Sequence, residues 1–193
     1  MTVVERRGLA SSMLEQQPRS RSRLRSLAGV AGCVLLPVLA ALIAFGVFGV
    51  AHVENDSMSP TLSSGDIIVF DRVFPPSRGD VVLFADGGGW SSVAGATLVK
   101  RVIGVAGDTV VCCETGTGRL LVNGGPVDES YVSVQRPGGV VPFRVTVPAD
   151  SVWVMGDNRE ASVDSRSGVS APGRGGVPLA DIRGVIRGIF GTG

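Results

Sequence analysis

The sequence predicts an all-β fold: a mainly antiparallel β-sheet domain with a small β insertion, preceded by one N-terminal transmembrane helix. Three observations carry this. Short β-branched and apolar runs recur from residue 64 to the C-terminus, each bounded by Gly, Asp, Asn or Pro. Outside the N-terminal apolar segment, no stretch sustains a 3.6-residue hydrophobic repeat. That segment itself carries no charge between Arg25 and Glu54, with His52 neutral.

The chain has 193 residues, room for one globular domain and an anchor. Residues 1–26 hold six Arg and two Glu among Ser and Gln, and predict a disordered basic tail. Residues 27–50 are predicted as the transmembrane helix. As a helix this run would be about 36 Å long, enough to cross a hydrocarbon core of about 30 Å with some tilt. Pro37 and the glycines within it are tolerated in membrane helices. The basic flank predicts a cytoplasmic N-terminus, which places residues 51–193 outside the membrane. Gly49-Val50-Ala51 is a small-x-small pattern and supports a competing reading, a cleavable secretory signal. The apolar run is much longer than a signal's, which favours the anchor.

The strand signals follow in order. Ser64-Gly65-Asp66 leads into IIVFDRV, and Arg78-Gly79-Asp80 into VVLF. Thr97 to Val105 alternates, and Ala106-Gly107-Asp108 then turns into TVVCC. RLLVN (119–123), FRVTV (143–147), SVWVM (151–155) and IRGVIRGIF (182–190) complete the set. Residues 106–149 are expected to form the inserted subdomain. The Gly- and Ser-rich segments 86–96 and 167–176 are expected as loops, the first of them mobile. Cys33 lies in the apolar run, where a small polarizable side chain needs no further role. Cys112 and Cys113 are adjacent, and strand alternation would point them to opposite faces, which argues against a mutual disulfide. With no CxxC and no cluster of His and Cys, metal ligation is not expected.

Chemistry has few candidates here. The sole histidine, His52, sits at the membrane boundary, so a Ser-His or Cys-His pair within the domain is excluded unless His52 folds back. Of eighteen basic residues seventeen are Arg, and only Lys100 is Lys. Arg-rich composition explains much of that count, yet Lys can serve as a base and Arg cannot, because guanidinium does not deprotonate in proteins. Lys100 has apolar neighbours on both sides, and burial would lower its pKa toward neutrality. Ser57 lies in Asn55-Asp56-Ser57-Met58-Ser59-Pro60-Thr61-Leu62, just past the apolar run. A lone serine is usually a solvated loop residue, and as a nucleophile it needs a base and oxyanion donors. Its own N–H and the Asn55 amide are the donor candidates, and Met58 suits the lining of a substrate groove. A third segment, Gly156 to Arg166, follows the apolar strand SVWVM and so lies at a strand end. A turn explains its Gly-Asp-Asn, but less readily the cluster Ser162, Asp164, Ser165 and Arg166.

Together these segments resemble type I signal peptidases, membrane-anchored Ser-Lys endopeptidases of the signal peptidase I family. The resemblance rests on Ser57-Met58-x-Pro60-Thr61-Leu62 and on Lys100-Arg101-Val102-Ile103-Gly104-x-x-Gly107-Asp108. It extends to Gly156-Asp157-Asn158-Arg159-x-x-Ser162-x-Asp164-Ser165-Arg166. It implies Ser57 as nucleophile, Lys100 as general base and Ser162 as the hydroxyl that orients Lys100. Asp157, Asp164 and Arg166 would form one supporting salt-bridge network. Two departures stand out: Asn55 replaces the family's usual Ser or Gly, and Ala161 replaces a common Asn. The resemblance implies no cofactor and no metal. It implies preprotein signal peptides as substrates, cut after small-x-small (A-x-A) sites through an acyl-enzyme. The bilayer and the secretion machinery would be partners, and nucleic acid would not. Two other readings stay open: a soluble Ser-Lys autoprotease, disfavoured by the anchor, and an inactive membrane-anchored β domain that only binds exported peptides.

Overall fold

The computed structural model describes residues 33–41, 45–132, 134 and 137–191. Residues 33–41 are helical and belong to a unit distinct from residues 44–193. Among the described residues no helix is long and apolar enough to cross a membrane. The expected tail lies outside them, as do residues 27–32 and 42–44 of the expected span.

The rest is mainly β-structure, with short 3-10 turns at Ser165–Gly168 and Leu179–Asp181. The strands are β1 (Phe48–His52), β2 (Ile67–Asp71), β3 (Val81–Ala85), β4 (Thr97–Val105), β5 (Thr109–Cys112) and β6 (Leu120–Val122). After them come β7 (Gly125–Pro126), β8 (Phe143–Thr146), β9 (Ser151–Met155), β10 (Val177–Pro178) and β11 (Ile182–Phe190). A seven-stranded sheet runs β1-β2-β11-β3-β4-β9-β10, and a four-stranded one runs β7-β6-β5-β8. Every strand pair is antiparallel.

The first correction is β1. The apolar run does not stay helical to Val50: Phe48, Gly49 and Val50 pair with Asp71, Phe70 and Val69 of β2. An edge strand beside β2 satisfies these backbone groups as well as a helix would, and aromatic and β-branched residues suit it. Gly49 suits that position, since a Cβ would overlap the Phe70 ring and force it to move.

The four-stranded sheet spans Thr109 to Thr146, within the stretch expected as an insertion. It has no separate core. Val110, Leu120 and Val145 pack in one buried cluster with Ile103 of β4 and Trp153 and Met155 of β9. Strand β9 is buried at all five positions, which explains its continuous apolar sequence. Arg78 ties the junction, donating from Nε to Asp108 at 2.6 Å, while Asp108 also accepts from Val105 N and Asn123 Nδ2.

The cysteine expectation is also corrected. Cys112 and Cys113 form a disulfide across a cis peptide, with Cα atoms 3.0 Å apart. Alternation to opposite faces holds only for extended trans backbone, and the chain leaves that conformation at the end of β5. The Gly- and Ser-rich loop after β3 is tied at its base: Asp86 accepts from Trp90 N at 3.0 Å and Ser91 N at 2.6 Å.

Candidate active site

The segment around Ser57 is a tight, multiply bonded turn between β1 and β2. Ser59 N donates to Asp56 O at 3.1 Å and Leu62 N to Met58 O at 3.0 Å. Asp56 Oδ1 accepts from Ser64 N at 2.9 Å. Met58 and Leu62 are fully buried with Ile68, Phe70 and Leu83, and they pin this turn to the sheet. Met58 therefore lines no open groove. Its apolar side chain faces inward, packed in one cluster with Ile68 and Phe70 of β2 and Leu83 of β3.

Lys100 sits in the middle of β4, opposite Val82 of β3. It is 3% exposed. Its Nζ donates to Ser57 Oγ at 2.9 Å and to the Val99 carbonyl at 3.0 Å. Among the described residues no carboxylate pairs with it. Burial lowers its pKa from 10.5 to about 8, and the charges of Asp164, Asp157 and Asp86 offset part of that fall. The sequence separates Ser57 and Lys100 widely; the β1–β2 turn and β4 bring their reactive atoms into hydrogen-bond contact.

The Gly156–Arg166 segment leaves β9 and passes beside the Ser57 turn. Asn158 N donates to Ser57 O at 3.1 Å, and Asn158 Nδ2 to Asp56 O at 3.1 Å. Gly156 is obligatory, because a Cβ would collide with Ser162 Oγ and sit 2.5 Å from Ser57 O. The expected single network of Asp157, Asp164 and Arg166 is instead two separate clamps. Asp157 accepts from Arg101 Nε at 2.8 Å and Nη2 at 2.6 Å, and from Thr61 Oγ1 at 2.5 Å. Asp164 accepts from Arg166 Nε at 2.8 Å, Arg166 Nη2 at 2.9 Å and Gly156 N at 3.0 Å. In each clamp one carboxylate fills the Nε/Nη2 fork of one guanidinium, so Asp157 is used up by Arg101 and Asp164 by Arg166. Behind them, buried Arg159 pairs with Glu129 and donates to Gly156 O at 3.0 Å.

Two expected contacts are absent. Ser162 does not hydrogen-bond Lys100: its Oγ is buried against Gly156 with no partner. Lys100 has instead directed two of its three donors to Ser57 and Val99. Asn55 presents the opposite end of its amide from the one expected, since its Oδ1 accepts from Ser57 N at 3.1 Å. Only an oxygen can face an N–H, so the amide nitrogen points elsewhere in this state. His52 ends β1, exposed.

The chain matches the family model described as signal peptidase, peptidase S26, over residues 27–190. It belongs to that family. The signal peptidase I of Leptolyngbya laminosa is 35% identical over 156 residues, covering 77% of this chain and 73% of the relative. That of Mycobacterium tuberculosis is 32% identical over 222 aligned positions, covering 90% and 74%. That of Bacillus licheniformis is 36% identical over 152 residues, covering 72% and 77%.

Sequence reasoning assigned no role to Arg101, Thr61, Asn158 or the Arg159–Glu129 pair. For Arg101 there was a usable signal: it follows the lone lysine in a strand, so it had to face the other way and needed a counter-charge. For Asn158 there was none, because its partners are backbone carbonyls remote in sequence.

Proposed function

We propose that the chain is a signal peptidase I, a membrane-anchored serine endopeptidase that removes signal peptides from exported preproteins by a Ser-Lys mechanism. The observation that carries this is the 2.9 Å contact between Ser57 Oγ and a buried lysine that has no ion-pair partner among the described residues. With a pKa near 8, a useful fraction of Lys100 is neutral at physiological pH, and neutral amine is a base. Ser57 Oγ attacks the scissile carbonyl while its proton passes to Lys100 Nζ. The C–N bond then breaks, and the leaving amine takes that proton from Nζ. Lys100 next takes a proton from a water as that water attacks the ester carbonyl; the C–Oγ bond then breaks, Nζ returns the proton to Ser57 Oγ, and the acid product is freed.

The oxyanion would be held by Ser57 N–H. An incoming carbonyl oxygen displaces Asn55 Oδ1 from that N–H, and rotation of the Asn55 side chain then offers its Nδ2 as a second donor. Ser162, with an unused hydroxyl in the same region, would accept a hydrogen bond from the third N–H of the Lys100 ammonium. Asp157, Asp164 and Arg166 hold the walls.

Substrate would enter as an added strand. β4 pairs with β3 over Thr97–Arg101, whereas β9 pairs with β4 only from Arg101 onward, so Thr97–Lys100 keep one open edge. A shallow apolar groove along that edge would admit only alanine and other small side chains, and so give the A-x-A pattern. The apolar run up to Val47 anchors the chain with its basic flank in the cytoplasm, placing the β-domain outside. β1 begins at Phe48, within the apolar run, and Ser57 follows only a few residues after its end, which would keep the nucleophile close to the bilayer. The secretion machinery is the natural supplier of substrate.

The test is incubation of detergent-solubilised protein with a preprotein, followed by sequencing of the new N-terminus. A single cut after a small-x-small site, lost in Ser57→Ala, supports the proposal. Binding without cleavage by the unaltered protein overturns it.

A further inference from the structure

The peptide group between Asp56 and Ser57 is held at both ends. Its N–H is the proposed oxyanion donor, and in this state it donates to Asn55 Oδ1 at 3.1 Å. Its carbonyl, Asp56 O, accepts from Ser59 N at 3.1 Å and from the Asn158 side-chain amide at 3.1 Å. The orientation of that amide is not arbitrary, because the reversed amide would set two acceptor oxygens against each other. The next carbonyl, Ser57 O, is taken by the backbone N–H of the same residue at 3.1 Å. Asn158 thus grips two successive carbonyls, one with its main chain and one with its side chain.

A peptide group is planar, so fixing the direction of its C=O fixes the direction of its N–H. Without the side-chain bond, the 56–57 plane is restrained at its carbonyl end only by Ser59 N, an N–H within the same turn that moves with it. Asn158 is different, because it is attached to β9 and therefore to the core of the sheet. We infer that Asn158 is a positioning residue that aims the Ser57 N–H at the oxyanion through its hold on the Asp56 carbonyl. This rests on Ser57 being the nucleophile, the reading given above. Donors of an oxyanion hole act by being correctly placed before charge develops, so the effect belongs to the transition state and not to substrate binding.

The backbone half of the grip survives any side-chain change, so the turn stays docked in an Asn158 variant. Asn158→Leu keeps most of the volume and removes the donor; Asn158→Gln keeps a donor on a longer arm. For Asn158→Leu we expect kcat on a preprotein peptide to fall by roughly ten- to a hundredfold with KM nearly unchanged. The rising limb of the pH profile should stay near pH 8, because Lys100 keeps its surroundings. Asn158→Gln should recover part of kcat. A second readout uses a peptide aldehyde ending in alanine. Ser57 Oγ adds to its carbonyl carbon, the C=O π bond opens, and Lys100 relays the Oγ proton to the new oxygen, which sits in the oxyanion position. Asn158→Leu should weaken this aldehyde about tenfold or more while leaving the corresponding peptide alcohol bound as before.

An unchanged kcat, a loss confined to KM, a displaced pH limb, a lowered Tm, or equal weakening of aldehyde and alcohol would each overturn the inference. Ser57→Ala serves as the separate control. If it retained turnover, the nucleophile assignment itself would fall, whatever Asn158 does.

Discussion

Lys100 and Arg101 are neighbours on β4, point to opposite faces and are both largely withdrawn from water, yet they are treated in opposite ways. Arg101 has its fork filled by Asp157 and lies 4.0 Å over the Tyr131 ring. Burial alone would lower its pKa, but the hydrogen bonds and charge of Asp157 outweigh it and hold the guanidinium above its ordinary value. Lys100 receives a hydroxyl and a backbone carbonyl, and feels Asp164, Asp157 and Asp86 only through space. Those carboxylates are occupied elsewhere: Asp157 by Arg101, Asp164 by Arg166, and Asp86 by backbone N–H groups of its own loop. Arginines and backbone N–H groups absorb the direct pairing, so Lys100, which has no ion-pair partner among the described residues, is left able to lose its proton. In the proposed mechanism this division is the catalytic device.

The sharpest way to break the contrast is Lys100→Arg, which turns the free cation into one that cannot deprotonate. Turnover of a preprotein peptide should fall about 1000-fold or more, on the scale of losing a catalytic base. Near-normal turnover would end the Ser-Lys reading. Breaking the paired side should instead be felt first by the fold. Asp157→Asn leaves Arg101 buried with half its partner lost, and urea unfolding should report about 3 kcal/mol less stability. It also removes one of the anions that favour the Lys100 ammonium. The lysine pKa should then drop below about 8, and the rising limb of activity should move to lower pH.

How far this arrangement can be read from the sequence depends on the kind of contact. The strands are legible because their alternation is local, and SVWVM announces a fully buried strand by lacking alternation. β1 is not, because Phe48-Gly49-Val50 continues an apolar run and hydrophobicity alone does not separate a membrane helix from an edge strand. Ser57 and Lys100 are legible through the chain's single lysine and the motifs around both residues. The hands that hold them are less so. Asn158 works on backbone carbonyls, which every residue has, and Arg101 on a carboxylate that the sequence offers equally to Arg166. The cysteine pair fails for a third reason: the expectation assumed trans backbone where the chain adopts cis.

Lys100→Met sharpens the comparison from the side of stability. The wild-type lysine is a buried cation with no ion-pair partner among the described residues, so an apolar side chain of similar length should pack there more favourably. Its pKa is lowered on folding from 10.5 to about 8, which at about 1.4 kcal/mol per unit is a cost on the order of 3 kcal/mol. Between these values the unfolded chain binds the extra proton, so wild-type stability from this group rises with pH across that window and is lost as pH falls from 10.5 to about 8, below which both states are protonated. The Met variant lacks this dependence. Its advantage in chemical denaturation should be largest below pH 8 and fade toward pH 10.5, while its activity is nil. A constant difference across that range would mean that Lys100 keeps an ordinary pKa in the folded state.

The smallest effect concerns the hydroxyl that the paired network leaves out. Ser162 Oγ is buried, touches Gly156 and has no hydrogen-bond partner. In the resting state it is therefore a small liability, since an unsatisfied buried hydroxyl costs roughly 1 kcal/mol or more. In the proposed mechanism it has a use once Lys100 becomes an ammonium with a third donor to place. Ser162→Ala should consequently lower kcat by about tenfold, the loss of one hydrogen bond to a charged group, while stability stays level or rises by up to about 1 kcal/mol. A purely structural serine would behave the other way, losing stability and keeping kcat. Measuring both quantities on the same variant tells whether the unpaired hydroxyl belongs with Lys100 or with the clamps.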